Sequence, residues 1–118
     1  MFFIDTLSEI PIYTQICNGI IKEIAEGNLK NGDSLPSVRQ FAKDFNVNPM
    51  TVNKAYGILK NENIIEIDRR NGSVICVKCE KKHLKKIEDN LENIINEVKA
   101  RGLSKEDLFN IIERSFQC

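Results

Sequence analysis

The chain has 118 residues, 42% hydrophobic and 29% charged, and its 17 basic side chains equal its 17 acidic ones. That length suits one compact domain or a small domain with an appendage; the composition is that of a soluble globular protein, and no apolar run approaches the ~20 residues that span a bilayer. "MFFIDTLSEI" lacks the basic stretch and long apolar core of an export signal, so the expected location is cytoplasmic, and zero net charge means that a nucleic-acid reading must rest on where the charges sit.

The first helical signal follows Pro11, a residue suited to a first helical turn. Ile12, Ile16, Ile20 and Ile24 recur every four residues and, with Cys17 and Ile21, form one broad apolar face. Gly27 is placed to end this helix in a left-handed conformation. "NLKNGDSLP" then reads as a loop with a turn at Asn31-Gly32 and with Leu29 and Leu35 tucked inward.

Ser37 is an N-cap for a short helix whose Val38, Phe41, Ala42 and Phe45 share one side, leaving Arg39 and Lys43 off it. Asn46 is a left-handed stop, Asn48 a second N-cap, and Pro49 the first residue of the next helix. Val52, Ala55, Tyr56 and Leu59 form the buried face of that helix, and Asn63 ends it. Two short amphipathic helices joined by about three residues are the helix-turn-helix signature, in which the second helix presents its N-terminal side chains to base edges in the major groove. Asn48, Met50, Thr51, Asn53 and Lys54 would be wasted on a buried face and are therefore the candidate readers. Asn can pair with adenine through two hydrogen bonds, Thr can donate or accept, and the Thr methyl or Met can touch a thymine methyl. On an isolated helix the same residues would read as a solvated face.

"IIEIDRRNGSVICV" follows, with alternating Ile65 and Ile67 and a second β-like run of Val74, Ile75 and Val77. Asn71-Gly72 predicts a two-residue hairpin turn flanked by Arg70 and Ser73, with Arg69 one step back. A hairpin directly after a recognition helix is a wing, and its arginines can reach a phosphate or the minor groove; an ordinary hairpin with solvated charges is the plainer reading.

Cys17, Cys76, Cys79 and Cys118 are expected to be reduced in a cytosolic chain. "CVKC", with His83 four residues on, is half a zinc site, a redox pair or a chance spacing. If Cys76 and Cys79 continue one strand, their odd separation points them to opposite faces, so no metal site is expected.

From Glu80 the composition changes: "KCEKKHLKK" is a basic run that starts a solvated helix or serves an anionic surface. Leu84, Ile87, Leu91, Ile94, Ile95 and Val98 then follow the three- and four-residue steps of a narrow coiled-coil-like seam. Gly102 breaks it, Ser104 with Asp107 resembles a capping box, and Leu108, Ile111, Ile112 and Phe116 line a last helix. A helical hairpin of roughly 40 residues rarely folds alone. Its seam must be buried either against the body of its own chain or against a second copy, and two-fold DNA sites ask for two-fold proteins.

The resulting expectation is a mainly α fold with a small β-hairpin wing: a winged helix-turn-helix domain over residues 1–79, then an α-helical dimerisation hairpin over residues 80–118. "PIYTQI", "GDSLPSVRQFA", "VNPMTVNKAY" and the wing together resemble the winged helix-turn-helix domain of GntR-family bacterial transcription regulators, over about residues 9–77. The two-helix tail resembles the YtrA subfamily, whose short C-terminal part is a dimerisation device. The resemblance implies that Arg39 contacts DNA, that Ser37 approaches a phosphate, that Asn48, Met50, Thr51, Asn53 and Lys54 lie on the recognition helix, and that Arg69, Arg70, Asn71 and Gly72 form the wing tip. It also implies transporter genes as frequent targets. Lys54 stands where many members have Arg, which favours a phosphate role over guanine readout. "DRRNGS" replaces a Gly-x-Gly wing turn, and Asn46 and Asn63 replace glycines.

Three classes of function remain. The first is a DNA-binding regulator, a repressor acting as a homodimer on a two-fold operator. The second is a winged helix used for protein–protein contact without specific DNA binding, which would explain the neutral charge. An enzyme is the third and weakest, because no nucleophile–base constellation, phosphate loop or zinc-protease motif is present and there is a single histidine. No cofactor or membrane partner is expected, and no motif names a small-molecule effector.

Overall fold

A computed structural model describes residues 2–117; Met1 and Cys118 lie outside the described residues. The elements run α1 (Ile12–Ala25), α2 (Val38–Phe45), α3 (Pro49–Asn61), β1 (Ile65–Asp68), β2 (Gly72–Ile75), α4 (Lys81–Ala100) and α5 (Lys105–Phe116). They fall into two compact units, Met1–Lys78 and Cys79–Cys118.

In the first unit, α1 and α2 both pack on α3, and the β1–β2 hairpin follows α3. Phe41, Ile16, Ile20, Leu59, Ile75 and Val52 are its largest fully buried side chains, so each of the three helices and the hairpin contributes to one core. The periodicity of α1 holds for Ile16, Cys17 and Ile20, whereas Ile21 is exposed on the edge of the stripe. Caps and stops sit where local chemistry puts them. Ser37 Oγ accepts the Gln40 amide at 3.1 Å and Asn48 Oδ1 accepts the Met50 amide at 2.8 Å. Asn46 and Asn63 adopt left-handed φ values of 53° and 58°, conformations that Asn tolerates better than most residues.

The loop before α2 does more than connect. Its backbone pairs with the free edge of β2: Leu35 N donates to Ser73 O at 2.8 Å and Ile75 N to Asp33 O at 2.8 Å. An edge strand that would otherwise expose unpaired amides is thereby covered, and the wing is tied to the start of α2. Tyr56 completes the tie, donating its hydroxyl to Pro36 O at 2.8 Å; burial pushes its phenol above the ordinary tyrosine range.

Residues ahead of α1 also take part in the packing. Phe2 stacks on Phe45 with ring centroids 5.4 Å apart, and Phe45 on Phe41 at 4.3 Å. Gly19 makes this possible, because a Cβ there would collide with the Phe2 ring. Gln15 holds the segment down by accepting the Asp5 amide at 2.8 Å and donating to Ile10 O at 2.8 Å.

The second unit consists of α4, a turn at Gly102 with φ 74°, and α5. Ser104 and Asp107 cap α5 reciprocally, at 3.0 Å and 2.8 Å, and the Ser104 amide holds the Asp107 carboxyl below the usual carboxylate range. No described residue of α4 or α5 is fully buried. None of the described helices is long and apolar enough to cross a membrane.

Candidate nucleic-acid interface

Residues 46–48 connect α2 to α3, and two features set their geometry. Asn46 turns the chain out of α2, with the Val47 amide closing on Ala42 O at 2.9 Å. Asn48 and Pro49 then start α3. Because Val52, Ala55, Tyr56 and Leu59 bury one side of α3, its outward side carries Met50, Asn53, Lys54 and Gly57. Met50 is 79% exposed. Thr51 lies at the margin of this face, half-buried rather than fully open.

The candidate readers are unequal. Asn48 spends its carbonyl oxygen on the cap, which leaves its NH2 group to donate. Ser37 likewise accepts through Oγ, leaving its hydroxyl proton for an acceptor such as a phosphate. Arg39, in the first turn of α2, is exposed and has no ion-pair partner among the described residues. Lys54 is held: its Nζ lies 3.9 Å from the centroid of the Tyr13 ring on α1. Tyr13 was not legible as part of this surface, because only the packing of α1 on α3 brings it there.

The wing tip differs from the sequence expectation. Asp68 pairs with Gly72, so the connection is the three residues Arg69, Arg70 and Asn71 rather than a two-residue Asn71-Gly72 turn. The cause is Asp68. Its carboxylate accepts the Arg70 amide at 2.8 Å and the Asn71 side-chain NH2 at 3.3 Å, building a turn around itself. Those bonds, led by the Arg70 amide, also hold the Asp68 carboxyl below its usual range. Gly72 supplies the positive φ, 74°, that closes the turn at the first residue of β2. Arg69 and Arg70 are both exposed at the apex, in place of the expected flanking position of Arg70. Ile67, although it alternates with buried Ile65, is 57% exposed, because the hairpin extends beyond the helical core. β2 stops at Ile75, short of Val77; the chain continues alongside residues 63–64 through the Cys76 and Lys78 amides, at 2.9 Å each.

Cys76 is half-buried, Cys79 exposed and Cys17 buried, its thiol pushed up by desolvation. His83 is engaged at the start of α4, where Nδ1 accepts the Glu80 amide at 2.8 Å. Among the described residues no three His, Cys, Asp or Glu side chains come together as a metal site.

Gly57 also lies on the outward face of α3, where no local sequence signal marks it. A Cβ built there meets nothing within 4 Å, and its φ lies outside the left-handed region, so the fold itself does not require glycine. Gly57→Ala is expected to stabilise the protein by about 0.5–1 kcal/mol, through the lower backbone entropy cost of alanine in a helix. Thermal and urea unfolding of the two proteins check this; an unchanged or lowered midpoint refutes it.

Residues 12–75 match the profile of the bacterial regulatory proteins of the gntR family. Over 75 residues the chain is 45% identical to the HTH-type transcriptional repressor YtrA of Bacillus subtilis (strain 168), covering 64% of this chain and 58% of that protein. The fold is similar to a crystal structure described as a transcriptional antiterminator from Listeria monocytogenes EGD-e, with a TM-score of 0.89, 30% identity, and coverage of 99% of this chain and 90% of that one. It is also similar to YtrA from Sulfolobus acidocaldarius, a GntR-family transcription factor, with a TM-score of 0.63 at 38% identity over 97% and 95% of the two chains.

Proposed function

The chain belongs to the GntR family of bacterial regulatory proteins, with its resemblance to YtrA placing it in that subfamily, and from this membership we propose that it represses transcription as a homodimer on a two-fold operator. Residues 1–79 bind DNA and residues 80–118 assemble the dimer. α3 enters the major groove and reads bases with Met50, Thr51 and Asn53; Asn48, Lys54, Ser37 and Arg39 anchor phosphates at its flanks, and the wing tip of Arg69, Arg70, Asn71 and Gly72 reaches the backbone or minor groove. The observation that carries this reading is the outward face of α3, where a solvent-exposed Met50 stands among amide and ammonium side chains. YtrA of Bacillus subtilis, which is named a repressor, supports repression, and transporter genes are the targets that the YtrA resemblance suggests.

Zero net charge is compatible with this mode. Within a Debye length of ~8 Å the local field governs approach. Arg39, Lys43, Lys54, Arg69 and Arg70 lie on the reading helix, its partner and the wing, whereas Glu9, Glu23 and Glu26 lie on or beside α1, Asp33 in the loop that covers β2 and Glu62 at the far end of α3; of the acidic residues that share the reading elements, Asp44 is engaged by Gln40 and Asp68 by its own turn, and Glu66 lies on β1.

Dimerisation is supported by the open apolar side chains of the second unit. Leu84, Ile87, Leu91, Ile94, Ile111, Ile112 and Phe116 are exposed, and Ile95, Val98 and Leu108 only half-buried. Soluble monomers rarely leave so continuous an apolar stripe in water.

Arg39 provides the test. A duplex selected by the wild-type protein from a random library and a scrambled duplex are titrated at several salt concentrations. Arg39→Ala is expected to weaken binding to both and to lower the salt slope by about one unit, because one phosphate contact and its released counterion are lost. A protein that selects no sequence, or whose affinity ignores salt, is instead a protein-binding winged helix.

A further inference from the structure

Tyr13 occupies the first turn of α1 and Lys54 the second turn of α3, and the packing of these helices puts the Lys54 ammonium 3.9 Å from the centre of the Tyr13 ring. That is well inside the ~6 Å range over which a ring face attracts a cation. The register of the two helices is pinned beside it. Cys17, one turn further along α1, donates its thiol to the carbonyl of Ala55, the residue after Lys54, at 3.5 Å. Lys54 has no ion pair among the described residues, and no hydrogen bond is made by the Tyr13 hydroxyl among them. The ring is thus the feature that decides where this positive charge resides.

A lysine on an open helix surface samples many rotamers and must give up that freedom when it grips a phosphate. Over a ring the freedom is already lost in the unbound protein, while the charge stays intact for an anion arriving from outside. The contact also draws the ammonium to the α1 side of α3, away from Asn53, which leaves α3 on the other flank of its outward face. Resting on the DNA-binding reading above, we propose that Tyr13 is a positioning residue: its ring pre-orders Lys54 as a phosphate anchor where α1 meets the recognition helix, and so keeps Lys54 out of base readout.

The test has a part without DNA and a part with it. In the free protein, ring current should shift the Lys54 ε-methylene protons upfield of those of the other lysines; Tyr13→Phe should keep the shift and Tyr13→Leu abolish it. On the wild-type-selected duplex and on a scrambled one, Tyr13→Leu should weaken binding roughly two- to five-fold, alike on both, as loss of an exposed cation–π contact implies. Tyr13→Phe should bind as wild type does. In a Lys54→Met background Tyr13→Leu should have no further effect. An absent upfield shift overturns the proposal, as does a Tyr13→Leu penalty that persists without Lys54. Equal losses in Tyr13→Phe and Tyr13→Leu would assign the role to the hydroxyl and overturn it too. Should Tyr13→Leu fail to fold, the wild-type shift and its persistence in Tyr13→Phe decide. Lys54→Met without effect on either duplex sinks the placement of this face of α3 on DNA; a harmful Lys54→Met beside a harmless Tyr13→Leu sinks only the role of Tyr13.

Discussion

Leu91→Asp together with Ile95→Asp is expected to turn the proposed dimer into monomers and to reduce operator affinity by about 10²–10⁴-fold, the gain that two linked half-site contacts have over one. Both positions lie on the apolar seam of α4, Leu91 exposed at 40% and Ile95 half-buried. A carboxylate in an apolar interface must be desolvated without a partner, so two of them per chain, four across a two-fold axis, leave no favourable way to close the seam. The winged unit should survive, because its core of Phe41, Ile16, Ile20, Leu59, Ile75 and Val52 contains nothing from α4 or α5. Sedimentation of wild type and variant at micromolar concentration, with thermal unfolding alongside, provides the measurement. A wild-type protein that sediments as a monomer refutes the assembly outright.

Thr51→Ala and Asn53→Ala are each expected to cost about 1–3 kcal/mol on the operator, a loss of about five- to 150-fold, with little change on random DNA. Both residues lie on the first two turns of α3, Asn53 exposed and Thr51 half-buried at the margin of its outward face. An amide or hydroxyl that hydrogen-bonds a base edge discriminates between sequences, whereas a guanidinium on a phosphate binds all sequences alike. The pair should therefore separate from Arg39→Ala, whose penalty falls on both DNAs. Binding isotherms on the two duplexes decide. If both variants bind the operator as tightly as wild type, α3 does not read the sequence.

Local chemistry made much of this legible. Ser37, Asn48, Pro49 and the two asparagines at positions 46 and 63 act through hydrogen bonds and φ preferences within a few residues of themselves, so their spacing alone located α2, its stop and α3. The wing tip departs from the sequence expectation by one residue for the same kind of reason. Asn71-Gly72 is a strong hairpin signal, but Asp68 competes for the same backbone amides and wins, moving both arginines to the apex.

The order of elements, the buried stripe of α3 and therefore the side chains that face outward follow from local sequence, because periodicity and capping are properties of neighbours along the chain. Tertiary structure alone decided that Tyr13 meets Lys54, that Phe2 lies across Gly19 onto Phe45, and that the loop at 32–35 closes the edge of β2. Each of these joins residues far apart in sequence and is fixed by how α1 and α2 pack on α3, a geometry to which many side chains contribute at once and that no local pattern encodes.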